Sequence, residues 1–347
     1  MYDAEAIVIG GGHNGLICAA YLAKAGVTTI LVEARDSVGG CASTVADMGA
    51  RFNICACDHS LIRAMPLIDE LNLSSHGLDY LEPEATYVNA FHENSGSWVF
   101  YHDSNQTMDG LSITHPSEVA NYKRYLEDAI PVAKLVIEIA QSGASMTEFL
   151  QVASRKRMKG VSKLLRWSKA SAVDVFKDYF DDWHLYMPGI STGPTVWGAP
   201  PEAPGTGLAA TVYAPRHLIA SGRPRRGSGS LPDAILKSYL SHGGQVRLKS
   251  VVEKLQIENN KVKAVQLQDG SVIEAPTVIA ACDPHTVLVN WIDEAPVSAK
   301  SLISRWQKEP APEGYESKLD GIVQNLPTYK FMSELTGKFE HTDLTQS

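Results

Sequence analysis

The chain has 347 residues, of which 44% are hydrophobic and 20% are charged, and its formal net charge is -8. This length allows more than one domain with a sizeable core, and the composition is ordinary for a globular protein. The acidic balance argues against nucleic acid as a partner, because proteins that follow a phosphate backbone usually carry a basic excess.

Cysteine usage and the N-terminus indicate the compartment. The five cysteines are odd in number and match neither a disulfide framework nor a zinc spacing. The first apolar run, residues 6–12, follows no basic segment and is too short for a signal peptide. No stretch approaches the ~20 apolar residues that span a bilayer. We therefore expect a cytoplasmic protein, with peripheral contact to a membrane as a further expectation.

The first forty residues predict a βαβ unit. An apolar run at 6–9 is typical of a buried parallel strand, and it is followed by glycines with G-x-G-x-x-G spacing. These glycines are Gly10, Gly12 and Gly15. The alanine-rich stretch 16–26 predicts a helix that ends at a glycine, and 28–32 predicts a second strand. Glu33 ends this strand, 18 residues after the last fingerprint glycine.

Each part of this unit has a task in binding a dinucleotide. The first glycine allows a tight turn, the second lets the backbone approach a pyrophosphate, and the third lets the helix pack against the strand. The helix N-terminus offers free N–H groups to phosphates. Glu33 lies near the ~20-residue spacing expected of a carboxylate that binds ribose hydroxyls. The predicted cofactor contacts of this unit are Gly10, Gly11, Gly12, His13, Asn14, Gly15 and Glu33.

A second glycine pair indicates which dinucleotide is bound. Residues 33–40 resemble the second fingerprint of the glutathione-reductase-like FAD superfamily, in which a ribose-binding Glu precedes a short loop and two glycines. The resemblance implies that Gly39 and Gly40 let this loop approach the pyrophosphate. It also implies that Arg35, which follows Ala34, lies near the phosphates or adenine. Because Rossmann domains that bind only NAD usually lack this element, the predicted cofactor is FAD.

A later part of the chain resembles the same superfamily. The loop at 227–229 is expected to enter a helix that runs to about His242, and a parallel strand follows it. The resemblance implies that the backbone near Val252 touches adenine. Residues 255–275 alternate in polarity and contain two turn signals, which predicts an antiparallel meander. The run 277–282 predicts a buried strand that returns to the nucleotide domain.

Together these motifs are similar to those of the phytoene-desaturase-related FAD-dependent oxidoreductases, and most of all to the branch named pyridine nucleotide-disulfide oxidoreductase domain-containing protein 2. The resemblance implies an α/β fold, in which a Rossmann-like FAD-binding domain has a central parallel sheet and a β-meander and is interrupted by an α+β substrate domain. The expected boundaries are 1–62 and 222–290 for the FAD-binding domain, 63–221 for the substrate domain, and 291–347 for the start of a second substrate segment. Because no further glycine loop follows Pro284, we expect the family's flavin-covering C-terminal segment to be missing.

The name of that branch suggests disulfide chemistry, which the residues do not favour. In disulfide reductases of the superfamily, a C-x4-C motif follows the glycine pair. Here Cys41 takes the place of the first cysteine, but Ala46 stands where the second cysteine would be. The chain also has no second G-x-G-x-x-G motif for a nicotinamide, so oxygen or a quinone is the expected electron acceptor.

Further cysteines and histidines are weaker candidates. The Cys-Ala-Cys-Asp-His run at 55–59 has no complementary pair elsewhere, so we expect no metal and interpret Cys55 and Cys57 as a buried thiol pair near the cofactor. His13 either contacts a phosphate or the flavin edge, or is simply tolerated between the glycines. His59 is a candidate for the flavin face.

The middle of the chain predicts mixed structure. Strands are expected near 87–101 and helices after 116, including a long helix to about Ile139 that is interrupted at Pro131. Residues 155–169 hold seven basic and no acidic residues. The basic residues are Arg155, Lys156, Arg157, Lys159, Lys163, Arg166 and Lys169. Such a helix can lie on an anionic membrane, or it can be a solvated surface helix.

The leading functional hypothesis is a flavoenzyme that removes hydride from an apolar small molecule and passes the electrons to oxygen or a quinone. The pattern names neither a catalytic side chain nor an oligomeric state. Two alternatives remain open. One is an amine or amino-acid oxidase, and the other is a non-catalytic nucleotide-binding or regulatory protein with an incomplete flavin site.

Overall fold

The computed structural model describes residues 2–55, 59–91, 96–142, 145–155, 159–293, 296–309 and 318–325. These residues divide into two compact units. Unit 1 takes the described residues of Met1–Asp58, Pro66–Tyr80 and Arg223–Asp320, and unit 2 takes those of His59–Met65, Leu81–Gly222 and Gly321–Ser347.

The strands and helices of the described residues have the following bounds. The strands are β1 (Ala6–Ile9), β2 (Thr29–Val32), β3 (Thr44–Asp47), β4 (Ala50–Asn53), β5 (Tyr80–Leu81), β6 (Ala85–Asn89), β7 (Trp98–Tyr101), β8 (Arg223–Pro224), β9 (Gln245–Arg247), β10 (Val252–Glu258), β11 (Lys261–Leu267), β12 (Val272–Glu274) and β13 (Thr277–Ala280). The helices are α1 (His13–Lys24), α2 (Leu67–Glu70), α3 (Ser104–Thr114), α4 (Val119–Ser142), α5 (Met146–Arg155), α6 (Val161–Trp167), α7 (Ala172–Lys177), α8 (Trp183–Thr192), α9 (Tyr213–Leu218), α10 (Ser230–Ser241) and α11 (Lys300–Trp306).

A four-stranded parallel sheet with the order β13-β1-β2-β9 forms the centre of unit 1. Ile7 of β1 lies opposite Ile30 of β2 on one side and Val278 of β13 on the other. Every residue of β1 and β2 is buried, as expected for strands of a parallel sheet that is covered on both faces. The predicted fold class, an α/β fold with a central parallel sheet, is confirmed.

The antiparallel meander β10-β11-β12 lies in the same unit. Its first turn contains Asn259 and Asn260 with φ of 52° and 60°, which is the left-handed pair that a tight type I′ hairpin requires. Asparagine adopts this left-handed conformation more readily than most residues, which is why the Asn-Asn pair in the sequence predicted a turn here. Val265 and Ile273 pair across the meander and are fully buried in one cluster with Ile7 and Ile9.

Unit 2 is mostly helical, and its core contains several large aromatic side chains. Trp98, Tyr122, Phe176 and Tyr213 are at most 1% exposed and belong to one buried cluster. The hydroxyl of Tyr213 donates to the carbonyl of Leu185 at 2.7 Å, so this polar atom is satisfied inside the core. The strand pair β6-β7 contributes Trp98 to the cluster, which agrees with the mixed structure expected here.

Helix α4 differs from the prediction because it continues through Pro131 to Ser142. A proline inside a helix removes one backbone hydrogen bond and clashes with the preceding turn. The buried face of α4 continues past this point, since Ala129 and Val132 are both fully buried. The loop residue Gly160, with φ of +79°, packs so closely that a Cβ there would lie 2.9 Å from the carbonyl carbon of Pro131. Tertiary packing thus keeps the helix continuous.

Two other features of unit 2 were not predicted. Helix α3 lies between the strands expected near 87–101 and the helices expected after 116, where the sequence predicted no element. It is rich in poor helix formers, and the Asp103 carboxylate caps it by accepting from the Asn105 N–H at 2.7 Å. The basic run at 155–169 is not one helix, because residues 159–160 form a turn before α6 begins at Val161; residues 156–158 lie outside the described part of the chain. Among the described helices, none combines the length and apolar character needed to cross a bilayer.

Candidate cofactor site

The turn between β1 and α1 is built from glycines that pack against backbone. Gly10 has φ of +103°, a conformation that a side chain would strain. A Cβ on Gly15 would lie 1.9 Å from the carbonyl oxygen of Gly10, so only glycine allows the helix to approach the strand this closely. Gly12 precedes α1 as its N-cap residue, and the amides of the first turn have no carbonyl within the helix to pair with.

The loop after β2 lies directly beside this turn. The N–H of Gly39 donates to the carbonyl of Gly11 at 2.8 Å, and Gly12 and Gly39 form a parallel bridge. A Cβ on Gly40 would lie 3.0 Å from the Cα of Gly12. Among the described residues, a Cβ on Gly12 would meet only this loop, at 3.8 Å. Gly12 therefore has space over it that a ligand can use, whereas Gly15 has none.

Glu33 connects the two glycine segments. Its Oε2 accepts from the Gly11 N–H at 2.6 Å, and its Oε1 accepts from the Arg35 N–H at 2.9 Å. The side chain is half-buried at the end of β2. Each carboxylate oxygen has a second lone pair, so each can also accept a hydrogen bond from a hydroxyl group, as recognition of a ribose requires.

The remaining residues of the predicted loop are more exposed. Ala34 and Arg35 lie at the surface of unit 1. One guanidinium nitrogen of Arg35 donates to Ser43 Oγ at 2.6 Å and lies 3.4 Å from the carbonyl oxygen of Gly40. Arg35 thus fixes the glycine loop from outside, a structural role that the sequence did not reveal.

The other predicted contacts divide into two groups. His13 and Asn14 occupy the first turn of α1, where His13 is half-buried and Asn14 is exposed. Val252 points its side chain into the hydrophobic core, at 6% exposure. Just before it, the N–H of Ser250 donates to the carbonyl of Glu33 at 2.9 Å. The backbone leading to Val252 is therefore beside the end of β2, whereas its side chain is not available to a ligand.

A polar contact between the β3–β4 hairpin and the loop before α10 was missed by sequence reasoning. Thr44 Oγ1 donates to Asn53 Oδ1 at 2.8 Å and accepts from the Gly229 N–H at 2.8 Å. Asn53 Oδ1 also accepts from the Ser228 N–H at 2.9 Å. More than 170 residues separate the hairpin from this loop, and no local pattern signals such a contact.

The thiols of unit 1 are not arranged for disulfide exchange. Cys41 is an exposed free thiol, and Ala46 lies on β3. Burial raises the pKa of the Cys18 thiol, and burial together with Asp283 and Glu33 raises the pKa of the Cys282 thiol. Both thiols therefore stay protonated and poorly nucleophilic near neutral pH. Cys57, half of the expected thiol pair, lies outside the described residues.

Unit 2 holds an open cleft of about 880 Å³, which is a poor match to an apolar substrate. Its lining includes Arg63, Lys134, Glu138 and Arg155. Arg63 is already paired with Glu82, and its guanidinium donates to the carbonyl of Ala220 at 2.6 Å. His59, the candidate for the flavin face, is buried in the same unit, and its N–H donates to the carbonyl of Gly222 at 3.1 Å.

The site in unit 1 fits the ADP half of FAD on its own geometry. Gly12 leaves space at a helix N-terminus for a pyrophosphate, and Glu33 offers acceptors for a ribose. The second loop with Gly39 and Gly40 closes on the first, as expected for FAD-type Rossmann folds. The fold and the site are thus those of a flavoprotein that binds a dinucleotide.

Comparison with known proteins gives the family. The family described as flavin containing amine oxidoreductase matches residues 15–311. This match covers most of the chain, which belongs to that family. The family's cofactor is a flavin, so the predicted resemblance to FAD-dependent proteins and the predicted FAD cofactor are confirmed.

Individual relatives agree with the predicted resemblance. The chain is 24% identical to a component of the limonene dehydrogenase from Castellaniella defragrans over 87% of its own length and 56% of the relative's. It is 24% identical to pyridine nucleotide-disulfide oxidoreductase domain-containing protein 2 of Rattus norvegicus, covering 94% and 61%. For the lycopene-forming phytoene desaturase of Pantoea ananas the identity is 27%, with 84% and 58% covered. The chain thus spans less than two thirds of these relatives.

Solved structures show the same fold. An oxidoreductase from Methanosarcina mazei superposes with a TM-score of 0.58 at 17% identity, covering 87% of this chain and 65% of the other. Putrescine oxidase bound to putrescine gives a TM-score of 0.55 at 19% identity, covering 87% and 63%. At these identities the likeness establishes the fold alone.

Proposed function

We propose that the chain binds FAD through unit 1 and belongs to an enzyme that dehydrogenates an apolar small molecule, with oxygen or a quinone as electron acceptor. The observation that carries the cofactor assignment is the paired glycine geometry. Gly12 has free space above it, and Gly39 and Gly40 are held against it by the Gly39–Gly11 hydrogen bond.

The residues of this chain perform the binding. The first-turn amides of α1 would donate to the pyrophosphate, and Glu33 would accept from the ribose hydroxyls of the adenosine. The carboxylate of Glu33 also disfavours a 2′-phosphate through like-charge repulsion. When bound, the flavin supplies hydride acceptance, while the protein orients the substrate and excludes water.

Relatives support the substrate class. Two are named for limonene and phytoene, which are apolar hydrocarbons, and another is an all-trans-retinol 13,14-reductase. The family description favours a second candidate, oxidation of an amine, and putrescine oxidase has the same fold. The electron acceptor is inferred from the sequence, which contains no second dinucleotide fingerprint for a nicotinamide.

The decisive variant for cofactor binding is Gly12→Ala. Its Cβ fits the ligand-free fold, since it meets the Gly40 Cα at an ordinary 3.8 Å, but it occupies the space over the helix N-terminus. We expect the wild type to purify with flavin absorbance, or to regain it with added FAD. We expect Gly12→Ala to melt at nearly the same temperature while binding FAD at least about 10-fold more weakly. Gly110→Ala in α3 is the matched control and should bind FAD as the wild type does.

Substrate class is tested on the FAD-loaded protein without air. Loss of the oxidised flavin absorbance with a hydrocarbon polyene supports dehydrogenation, and loss with an amine supports the second candidate. With oxygen as acceptor, the two electrons and two protons removed from the substrate appear as hydrogen peroxide. A folded wild type that binds ADP-ribose but never FAD contradicts the proposal and favours a nucleotide-binding role.

A further inference from the structure

Two histidines and an aspartate of unit 2 converge although they are distant in sequence. One ligand atom each from His115, Asp182 and His184 lies within 4.8 Å of the other two. His115 Nε2 is 3.8 Å from Asp182 Oδ2, and His184 Nδ1 is 2.6 Å from Asp182 Oδ1. His115 precedes the short 3₁₀ turn that leads into α4, whereas the other two begin α8.

Both imidazoles have a buried nitrogen that lacks a partner. Among the described residues, neither His115 Nε2 nor His184 Nε2 makes a hydrogen bond. The His115 side chain is 4% exposed, and its other nitrogen lies 2.9 Å from Thr114 Oγ1. Buried polar atoms in native proteins almost always have a partner, so the unpaired His115 Nε2, which faces Asp182, indicates a water or ion between them. His184 Nε2 faces Gly96 on the other side of its ring and is not a ligand of this site.

The His184 ring is held in a fixed orientation. Trp183 stacks on it with a centroid distance of 4.0 Å, and Phe91 meets it edge-on at 4.7 Å. Gly96 packs so closely that a Cβ there would lie 2.2 Å from the ring. The carbonyl of His184 also accepts from the Trp98 indole N–H at 2.9 Å. Such support from neighbouring groups is what a ligand needs to meet an ion without reorganisation.

A second carboxyl group lies next to the cluster. Glu118 is 2% exposed, and its Oε1 accepts from the N–H of Asp182 at 3.1 Å. Its Oε2 accepts from Asn121 Nδ2 at 3.1 Å. Within the described part of the chain, no lysine or arginine forms an ion pair with Glu118 or Asp182. Two carboxyl groups that pair with no lysine or arginine, and with histidine alone as a basic neighbour, make this region favourable for a cation.

We propose that His115, Asp182 and His184 bind a divalent transition-metal ion of the zinc class. Two imidazole nitrogens and one carboxylate oxygen suit zinc and its neighbours, whereas magnesium and calcium prefer oxygen alone. Ligands about 2.05 Å from zinc lie roughly 3.3 Å apart in a tetrahedral site, so the 3.8 Å pair needs only a small movement. The ion replaces the Asp182–His184 hydrogen bond, and water fills the fourth position. It ties the start of α8 to the segment before α4.

The test begins with the wild-type full chain, stripped with a chelator and then dialysed against Zn²⁺ or Co²⁺. We expect one tightly bound ion per chain by elemental analysis, a Co²⁺ absorption spectrum of a nitrogen- and oxygen-ligated site, and a melting temperature several degrees higher with metal. No bound ion and no Co²⁺ spectrum in the wild type would overturn the proposal, and the unpaired Nε2 of His115 would then belong to a buried water.

Variants locate the ion. His115→Gln and His184→Gln should each weaken binding at least about 100-fold, more than the loss of an outer partner costs. Asp182→Asn keeps the N-cap of α8, since asparagine also caps helices, but loses the charged ligand. Its matched control is Asp103→Asn at the N-cap of α3, and His242→Gln is the control for an exposed histidine. Undiminished binding in folded Asp182→Asn and His184→Gln would place the ion elsewhere and contradict the proposal.

Discussion

The two units are held in their conformations by different kinds of contact. In unit 1, the candidate site depends on residues without side chains, since Gly12, Gly15 and Gly40 all lie within contact of other backbone atoms. In unit 2, order depends on large buried side chains such as Trp98 and Tyr122. Gly15 tolerates no added atom and Gly12 faces the space for the ligand, whereas an aromatic core depends on side-chain volume and on hydrogen-bonded polar atoms.

This difference predicts how each unit responds to change. A site formed by backbone atoms should lose its structure when a substitution adds a clashing side chain. Its stability should not depend on pH where the groups involved are amides. A core with buried polar aromatics and histidines should respond to protonation and to the loss of single hydrogen bonds. The following substitutions test these expectations, beginning with the largest effect.

Gly15→Ala should destabilise unit 1 by at least about 4 kcal/mol, at the exceptional end for one methyl group. The added Cβ would lie 1.9 Å from the Gly10 carbonyl oxygen, and neither backbone segment can move without breaking the packing of α1 on β1. Hydrogen exchange followed by mass spectrometry should show lost protection in β1 and α1. Gly110→Ala, whose Cβ meets Tyr101 at 3.9 Å, should be neutral or slightly stabilising. Equal protection in both variants would mean that the turn is not rigid.

Acid should destabilise unit 2 through His217. Burial lowers the pKa of this histidine from 6.5 to about 4. Its Nδ1 donates to the carbonyl of His102 at 2.9 Å, and its Nε2 accepts from the Tyr122 hydroxyl at 2.8 Å. Between pH 6.5 and 4 the unfolded chain binds the proton that the folded chain excludes, so stability falls as pH falls. The full effect below that window is about 3 kcal/mol.

The measurement is the melting temperature as a function of pH in wild type and His217→Gln. The variant should be less stable at pH 7, because it loses the stacking on Phe100, but should lose less stability towards pH 4. His242→Gln, at an exposed position, should keep the slope of the wild type. Parallel curves for wild type and His217→Gln would show that other groups cause the acid sensitivity.

The same difference explains what the sequence could predict. Gly10, Gly15 and Glu33 act at short sequence distance, so their spacing alone indicated the βαβ unit and its cofactor. Turns such as the one at Asn259 could be predicted for the same reason, because asparagine itself favours the left-handed backbone conformation found there. Helix α3 was missed because its residues are poor helix formers and its stability depends on the Asp103 cap and tertiary packing. The His115–Asp182 contact joins residues that no spacing rule connects.

Tyr239→Phe tests whether unit 1 depends on its backbone alone. The hydroxyl oxygen of the buried Tyr239 lies 2.9 and 2.8 Å from the carbonyl oxygens of Thr29 and Gln245, which share its single proton, and it accepts from the Gln245 N–H at 3.1 Å. It therefore joins α10 to β2 and β9. Removing the oxygen leaves these groups unpaired and should cost about 2 kcal/mol in denaturant unfolding. Tyr2→Phe at an exposed position is the matched control. A neutral Tyr239→Phe would show that side-chain bonds add little to this unit.

The smallest effect concerns the membrane contact, which stays a prediction for residues 155–169. Lys156 and Arg157 of this run lie outside the described residues. Two of its other basic residues are already paired within unit 2, since Lys163 lies 2.6 Å from Asp128 and Arg166 pairs with Asp178. Trp167, which an interfacial helix would insert, is fully buried in the core. The exposed Lys169 has no acidic partner among the described residues, so its charge is available to anionic lipid.

Lys169→Gln should therefore lower binding to anionic liposomes about fivefold, the effect of roughly 1 kcal/mol per basic residue near the surface. Lys261→Gln, at an exposed lysine of the meander in unit 1, is the matched control. Flotation should weaken as salt rises, because exposed charges are screened. If the wild type never floats with anionic vesicles at low or high salt, the basic run is a solvated surface, and its ion pairs serve only the folding of unit 2.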